Sequence, residues 1–277
     1  MKYRCWLCVA LFCLVCWQPL AARAETLRLS MLPNTSPEEI HRRIAPLAAL
    51  LSSKLDVQVE PYIVSDFNDY EKKLADGAID ISYANPVVFV KYSKQHEPMA
   101  LRTKGEGGQA FHGLVIVRSD SPIKELAELR GKKVVATGRT SAYGFFSQKL
   151  SLLDLGIVAE RDLHLEDAVD NKIENVILSV YMGEADAGFI TESGRNRIDR
   201  YVPSAMIKVL ATTAPLPGWV LSVRRSVAPG LKEKLQNAVL ALKPGDPILK
   251  SMDIPAFRAP SPQEFDGLRQ AMGISGE

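Results

Sequence analysis

From Glu25 onward, short apolar runs rich in β-branched residues alternate with stretches whose apolar positions recur every three or four residues. Residues 27–32 (LRLSML) predict the first strand. Ser36-Pro37-Glu38-Glu39 then opens a helix, with Ser36 as N-cap, Pro37 at the first helical position and Glu39 placed to close a capping box. Ile40, Ile44, Leu47, Leu51 and Leu55 continue at helical spacing, so one face of that helix is predicted to meet a core. Residues 57–64 predict a second strand and 69–75 a helix stopped by Asp76-Gly77. A short strand over 79–83 runs into Asn85-Pro86, again an N-cap with proline behind it, and a helix is predicted over 87–95.

The same alternation continues. A strand over 112–118 is long enough to cross between two lobes, and Ser121-Pro122 starts a helix ending at Arg130-Gly131. Residues 133–137 lead through the polar loop Gly138-Arg139-Thr140-Ser141-Ala142-Tyr143-Gly144 into a helix reaching Leu155. The strand over 163–169 leads to Asn171, read as N-cap of a second capping box with Glu174. Residues 185–190 lead into Thr191-Glu192-Ser193-Gly194 and a further helix. A returning strand over 207–211, the stiff turn Pro215-Leu216-Pro217-Gly218, a strand over 219–223 and a helix over 229–242 follow. Strands alternating with helices imply an α/β chain whose sheets are mainly parallel and flanked by helices. Boundaries near 117 and 212 divide it into a discontinuous lobe, 25–117 with 212–277, and a second lobe, 118–211. Two crossings make a hinge, on which two rigid lobes can close around a ligand.

The first residues are different in kind. Lys2 and Arg4 precede an apolar run over 6–17, and Ala22-Arg23-Ala24 supplies the small-x-small pattern of a cleavage site, so 1–24 reads as a secretory signal peptide. The run is too short for a membrane span, and Val15 before Cys16 disfavours lipid attachment. All four cysteines lie in this leader, which excludes disulfides, thiolate metal sites and a cysteine nucleophile from the remainder. Three of the 34 basic residues leave with it, so 31 face 32 acidic ones. No basic excess remains to hold nucleic acid or anionic lipid. A monomer in the periplasm is expected.

Candidate chemistry is sparse. The four histidines, His41, His96, His112 and His164, are scattered, with no metal spacing and no acid–base partner. His112, beside Phe111 on the crossing strand, is the one placed to face a cleft. Glu192-Ser193-Gly194 lacks the nucleophile-elbow pattern, and Gly138–Gly144 lacks the ending of a phosphate-binding P-loop. No catalytic residue, metal or cofactor is therefore assigned. What recurs is polar-capped strand-to-helix junctions: Ser36, Asn85, Thr140-Ser141, Asn171 and Thr191-Ser193. One such cap is an ordinary helix start. Several converging on one cleft would present backbone N–H groups to an oxyanion.

The order of LRLSMLPNTSPEE, VSDFNDYEKKLADGAIDISYANPVVFVKY, GLVIVRSDSPIKELAELRGKKVVA, MGEADAGFI and PLPGWVLSVRRSVAPGLKEKL resembles the phosphonate-binding family of periplasmic proteins, which serve ABC transporters for phosphonates and phosphite. The resemblance implies a type-two periplasmic-binding fold, two-lobed, with the ligand held in the cleft and passed to an ABC permease. A secreted relative signalling to a membrane sensor kinase is the alternative partner. The family's serine/threonine loop, S-T-S-G, falls on Ser141-Ala142-Tyr143-Gly144, and the D-P before it on Gly138-Arg139. A family histidine falls near Lys172, beside Asn171, and the family's aromatic in a D-Y pair falls on Phe67. The family's G-P falls on Asn85-Pro86, preceded by Tyr83, and Thr191-Glu192 falls near an acidic position that takes a ligand amine in some members. Two hydroxyl donors are missing from the loop, at roughly 1.5–3 kcal/mol for each charged hydrogen bond. Arg139 or Lys172 would restore charge. The implied ligand-binding set is thus Phe67, Tyr83, Asn85, Arg139, Thr140, Ser141, Tyr143, Asn171, Lys172 and Glu192, around a small phosphonate-, phosphite- or phosphate-like oxyanion.

Overall fold

The computed structural model describes residues 26–55, 57–105 and 110–274. The predicted signal peptide, 1–24, lies outside the described residues. The chain runs β1 (Thr26–Met31), α1 (Pro37–Leu55), β2 (Gln58–Pro61), α2 (Phe67–Ala75), β3 (Ile81–Ala84), α3 (Pro86–Lys91), β4 (His96–Arg102). It continues through β5 (Gly113–Arg118), β6 (Lys133–Ala136), a π turn over Ala142–Phe146, α4 (Ser147–Leu153), α5 (Ala159–Asp162), β7 (His164–Asp167), α6 (Ile173–Met182) and β8 (Ala187–Thr191). A 3-10 helix (Glu192–Arg200), β9 (Ile207–Thr212), β10 (Val220–Arg224), α7 (Pro229–Leu240), α8 (Pro247–Ser251), β11 (Phe257–Arg258) and α9 (Asp266–Met272) complete it.

Two sheets form. The first has the order β11-β4-β10-β3-β1-β2 and the second β7-β6-β8-β5-β9. Each is mixed, where a mainly parallel sheet was expected. The βαβ strands β1, β2 and β3 run parallel, as do β6, β7 and β8, while the strands next to the crossings (β10, β4, β5 and β9) join antiparallel. The reason is directional: a chain that leaves one sheet and enters the other without a crossover helix arrives reversed. The strand at 113–118 also changes side. It pairs with β8 and β9, so the first change of sheet lies in 103–112, ahead of the 117 boundary. The second lies in 213–219.

The predicted stripe of α1 is buried in full: Ile40, Ile44, Leu47 and Leu51 have no exposed surface. At roughly 1.5–3 kcal/mol for each buried aliphatic side chain, this stripe outweighs the cost of Pro46 inside the helix, about 3 kcal/mol. In the second lobe, Val115, Val134 and Phe189 pack on one face of the sheet and Ile116, Val176 and Ile177 on the other. A fourth cluster is shared between the lobes. Phe89 and Val90 of α3, Leu150 of α4, Leu216 of the second crossing, and Phe265 and Leu268 beside or on α9 pack together. The C-terminal helix is thereby wedged against both lobes.

Some predicted elements differ. The helix expected over 121–131 is a single 3-10 turn, Leu126–Leu129, whose N-cap Glu125 makes no side-chain cap bond. Glu39 does not close its box, because its carboxylate is held by Arg42 and Arg43. Asn171 is not the cap of α6. Asp170 and Asn171 both take positive φ, +55° and +53°, so the cap falls on Lys172, whose side chain makes no cap bond.

Candidate functional site

Four predicted junctions are self-capped by the expected residue: Ser36 Oγ accepts the Glu39 N–H at 3.3 Å, and three more lie nearer the loops discussed below. Asn85 Oδ1 accepts the Val88 N–H at 3.0 Å with Pro86 behind it, Ser141 Oγ accepts the Gly144 N–H at 3.0 Å, and Thr191 Oγ1 accepts the Gly194 N–H at 3.2 Å. An accepting hydroxyl keeps its own proton, so Ser141 retains an O–H to donate. Asp66 caps α2 by accepting the Asp69 N–H at 2.9 Å, which places Phe67 at the head of the helix against the cluster of Tyr70 and Leu74.

Gly144 is the tight point of the second-lobe loop. A Cβ there would lie 2.9 Å from both Ser141 Oγ and Thr137 Cβ. The turn that follows is π, with the Phe146 N–H reaching the Ser141 carbonyl at 3.1 Å. Such turns are rare and often mark functional positions. Here the helix after it is clamped by two buried side chains. Gln148 Nε2 donates to the carbonyls of Leu114, Tyr143 and Ile190 at 2.9–3.1 Å. Ser147 Oγ accepts the Gly113 N–H at 3.0 Å and lies 2.6 Å from both Thr213 Oγ1 and the Ala214 carbonyl. The start of β5, where the first crossing ends, and the second crossing are therefore tied to one helix start.

The crossings also hold each other. Phe111 and Leu216 exchange backbone hydrogen bonds at 3.0 and 2.9 Å, and His112 Nδ1 lies 2.8 Å from the Thr213 carbonyl. On this seam an aromatic group assembles from both lobes. The Tyr143 ring stacks on Phe111 at 5.2 Å and its hydroxyl donates to the Pro217 carbonyl at 2.8 Å. Tyr83, at the end of β3, packs against Trp219 at 5.2 Å. Arg102 ends β4 and lays its guanidinium over Phe111 at 5.5 Å. Its Nε is buried without a hydrogen-bond partner. Burial pushes the hydroxyls of both Tyr83 and Tyr143 well above the ordinary tyrosine range, and the positive charge of Arg102 works the other way on each. Gly218 is required here, because a Cβ would meet the Arg102 carbonyl oxygen at 2.1 Å.

Other expected residues are differently engaged. Arg139 donates to Asp167 at 3.0 Å and to the Leu165 carbonyl at 2.9 Å, and lies over the Phe145 ring. Thr140 is exposed. Asn171 folds onto the loop so that its Oδ1 occupies the space beside Gly138, 2.6 Å from where a Cβ would sit. Lys172 pairs with Asp170 at 3.2 Å. Glu192 pairs with Lys104, which lies in the first crossing. The structure thus joins Tyr83 and Tyr143 at the seam, gathers Ser141 and Asn171 on one side of the second lobe, and takes Arg139 and Lys172 into local ion pairs. Arg102, Lys104 and Phe111 were missed. The only signal for them was their place from the last residue of β4 up to the start of β5, where the chain changes sheet.

Residues 29–265 match the family described as the periplasmic substrate-binding protein of phosphonate ABC transporters. The chain belongs to that family. Membership implies a periplasmic location. The tetrathionate sensor histidine kinase TtrS of Salmonella typhimurium is 26% identical over 164 residues. That match takes in 57% of this chain, which spans about a quarter (26%) of the kinase. Among solved structures, XAC2383 from Xanthomonas citri bound to ATP matches with a TM-score of 0.73 at 23% identity, covering 91% of this phosphonate-binding-family chain and 97% of that one. PhnD1 from Prochlorococcus marinus in complex with methylphosphonate matches with a TM-score of 0.66 at 13% identity, over 90% and 99%. At these identities the structures establish the fold, the two-lobed type-two periplasmic-binding architecture.

Proposed function

We propose that this chain, exported by a leader over 1–24, captures a small solute bearing an oxyanion between its lobes and presents it to an ABC permease. The observation that carries this reading is the double attachment at Ser147. One helix start, next to the Ser141–Gly144 loop, holds the start of β5, where the first crossing ends, and the second crossing, so a ligand gripped by that loop acts directly on the hinge. The first lobe is assigned 25–102 with 220–277 and the second 113–212, with Tyr83, Asn85, Phe67, Ser141, Tyr143 and Asn171 lining the cleft. The cleft is given a binding role only, in a monomer.

The test uses protein lacking residues 1–24, freed of carried ligand by unfolding and refolding. Trp219 is then its only tryptophan, since Trp6 and Trp17 leave with the leader. Thermal midpoint and Trp219 emission are followed against methylphosphonate, phosphite, phosphate, sulfate and tetrathionate. A ligand at one hundred times its dissociation constant adds about 2.7 kcal/mol and raises the midpoint. No shift with any oxyanion overturns the reading.

A sensing role is the second reading, favoured by the stretch shared with the tetrathionate sensor kinase. Deletion of the gene separates the two. Lost uptake with an intact transcriptional response supports transport, and the reverse supports signalling.

A further inference from the structure

The charges around the inter-lobe seam are unequally placed. Glu192 is neutralised by Lys104, Asp167 by Arg139 and Asp170 by Lys172. Arg43, whose charge reaches Tyr83, is held by Glu39 at 2.7 Å. Asp253 also reaches Tyr83 but is itself exposed. Arg102 has no carboxylate partner among the described residues, and its Nε is buried without any hydrogen bond. Arg224 and Arg258 also bury an unpartnered Nε, but each guanidinium meets a carboxylate, Asp80 and Glu264, which Arg102 lacks among the described residues, and a guanidinium offers five donors in a fixed plane.

The surroundings of this cation are aromatic. Phe111 lies beneath its plane, Tyr143 stacks on Phe111 from the second lobe, and Tyr83 with Trp219 closes the first-lobe side. Phe111 and Gly218 fix the arginine from both crossings, the first by stacking and the second by letting the chain pass against its backbone. A stacked guanidinium is pre-organised to take an oxyanion edge-on.

We propose that Arg102 is the anion-binding cation of this cleft, and that its solute is an organic molecule with one singly charged acid group, an apolar body and no amine. This rests on the oxyanion reading above and narrows it. One positive charge without a carboxylate partner among the described residues matches one negative charge. A second negative charge would enter a site of buried aromatic surface without a counter-ion, a desolvation cost that nothing here offsets. An ammonium group would face Arg102 and find Glu192, Asp167 and Asp170 already paired. The aromatic rings give the apolar body a surface to bury, which a bare inorganic anion does not use.

Ethanesulfonate, taurine and sulfate separate these cases, because taurine adds only an amine to ethanesulfonate, while sulfate lacks the apolar body and carries a second negative charge. Isothermal titration with wild type is expected to give ethanesulfonate at least about tenfold tighter binding than taurine or sulfate. The R102Q variant is expected to lose about tenfold to hundredfold in ethanesulfonate affinity while its thermal midpoint without ligand stays near wild type, and R102K is expected to recover only part of the loss. If R102Q fails to fold, as circular dichroism shows directly, Phe111→Leu serves as the second probe, with the same preference for ethanesulfonate weakened. Oxyanion binding that is unchanged in R102Q overturns the assignment and leaves the general reading standing. Equal affinity for taurine or sulfate overturns the ligand class alone. No binding of any oxyanion by wild type, methylphosphonate included, overturns both.

Discussion

The hydroxyl of Tyr143, in the second lobe, donates to the carbonyl of Pro217, in the second crossing, at 2.8 Å. With its ring stacked on Phe111 of the first crossing, this one side chain touches both passages of the hinge. Removing the hydroxyl leaves a half-buried carbonyl without its donor. Y143F is expected to lower stability by about 1 kcal/mol and to shift the Trp219 emission of ligand-free protein. Unchanged emission and unchanged denaturant midpoint would show that the contact does not report on the hinge.

Lys104 and Glu192 form an ion pair between the first crossing and the second lobe. Both side chains are about 40% exposed (37% and 40%), so the pair contributes little to global stability, in the range of about 0–1 kcal/mol. Its position makes it a brace between lobes. E192Q is expected to leave the thermal midpoint nearly unchanged while increasing the radius of gyration of the ligand-free protein in small-angle scattering. High salt should reproduce that change in wild type by screening the pair.

His96 begins β4 and is buried to 1% exposure, with Nδ1 3.3 Å from Ser222 Oγ and Nε2 without a partner. Burial, with Arg224 nearby, pushes its pKa down to about 4 from 6.5. The unfolded chain therefore takes up a proton at this position before the folded one does. Stability is full above about pH 6.5, falls as pH drops through the window from 6.5 to 4, and levels off below it, for a total of about 3 kcal/mol at this site. Urea unfolding at pH 7.5, 5.5 and 4.5 measures the slope. H96Q should flatten it, and an unchanged slope would assign the loss to other groups.

Asp80 sits at the far end of the first sheet, 7% exposed, and accepts the Arg28 N–H at 2.9 Å and the Arg224 guanidinium at 2.6 Å. Arg224 Nε is already a buried donor without a partner. D80A would strand a strand N–H and a partly buried cation together, so a loss of about 3 kcal/mol is expected. Ligand binding, at the opposite ends of the strands, should be unaffected once the variant is folded.

Gly144→Ala tests the loop without touching charge. The added methyl would press on Ser141 Oγ and Thr137 at 2.9 Å, and overpacking of this kind costs roughly 1–3 kcal/mol. Affinity for the oxyanion should fall with it, because Ser141 must move. A variant that binds as wild type would remove Ser141 from the site.

Much of this protein is written in its sequence because the signals are local. The stripe from Ile40 to Leu55, the caps at Asn85, Ser141 and Thr191, and the alternation of strand and helix follow from backbone geometry and from which side chains water expels. The order of blocks along the chain was enough for the family. Tertiary structure alone decided what depends on partners distant in sequence. His96–Arg102 is a strand because β10, more than a hundred residues on, supplies its hydrogen bonds. Residues 113–118 belong to the second lobe because β8 and β9 flank them. Arg139 and Lys172, read from the chain as ligand charges, lie in the fold beside Asp167 and Asp170, while Arg102, flanked in sequence by nothing distinctive, has a buried Nε without a hydrogen-bond partner. A charge seen along the chain is known only by its sign. Whether it is free to bind is set by which opposite charge the fold brings beside it.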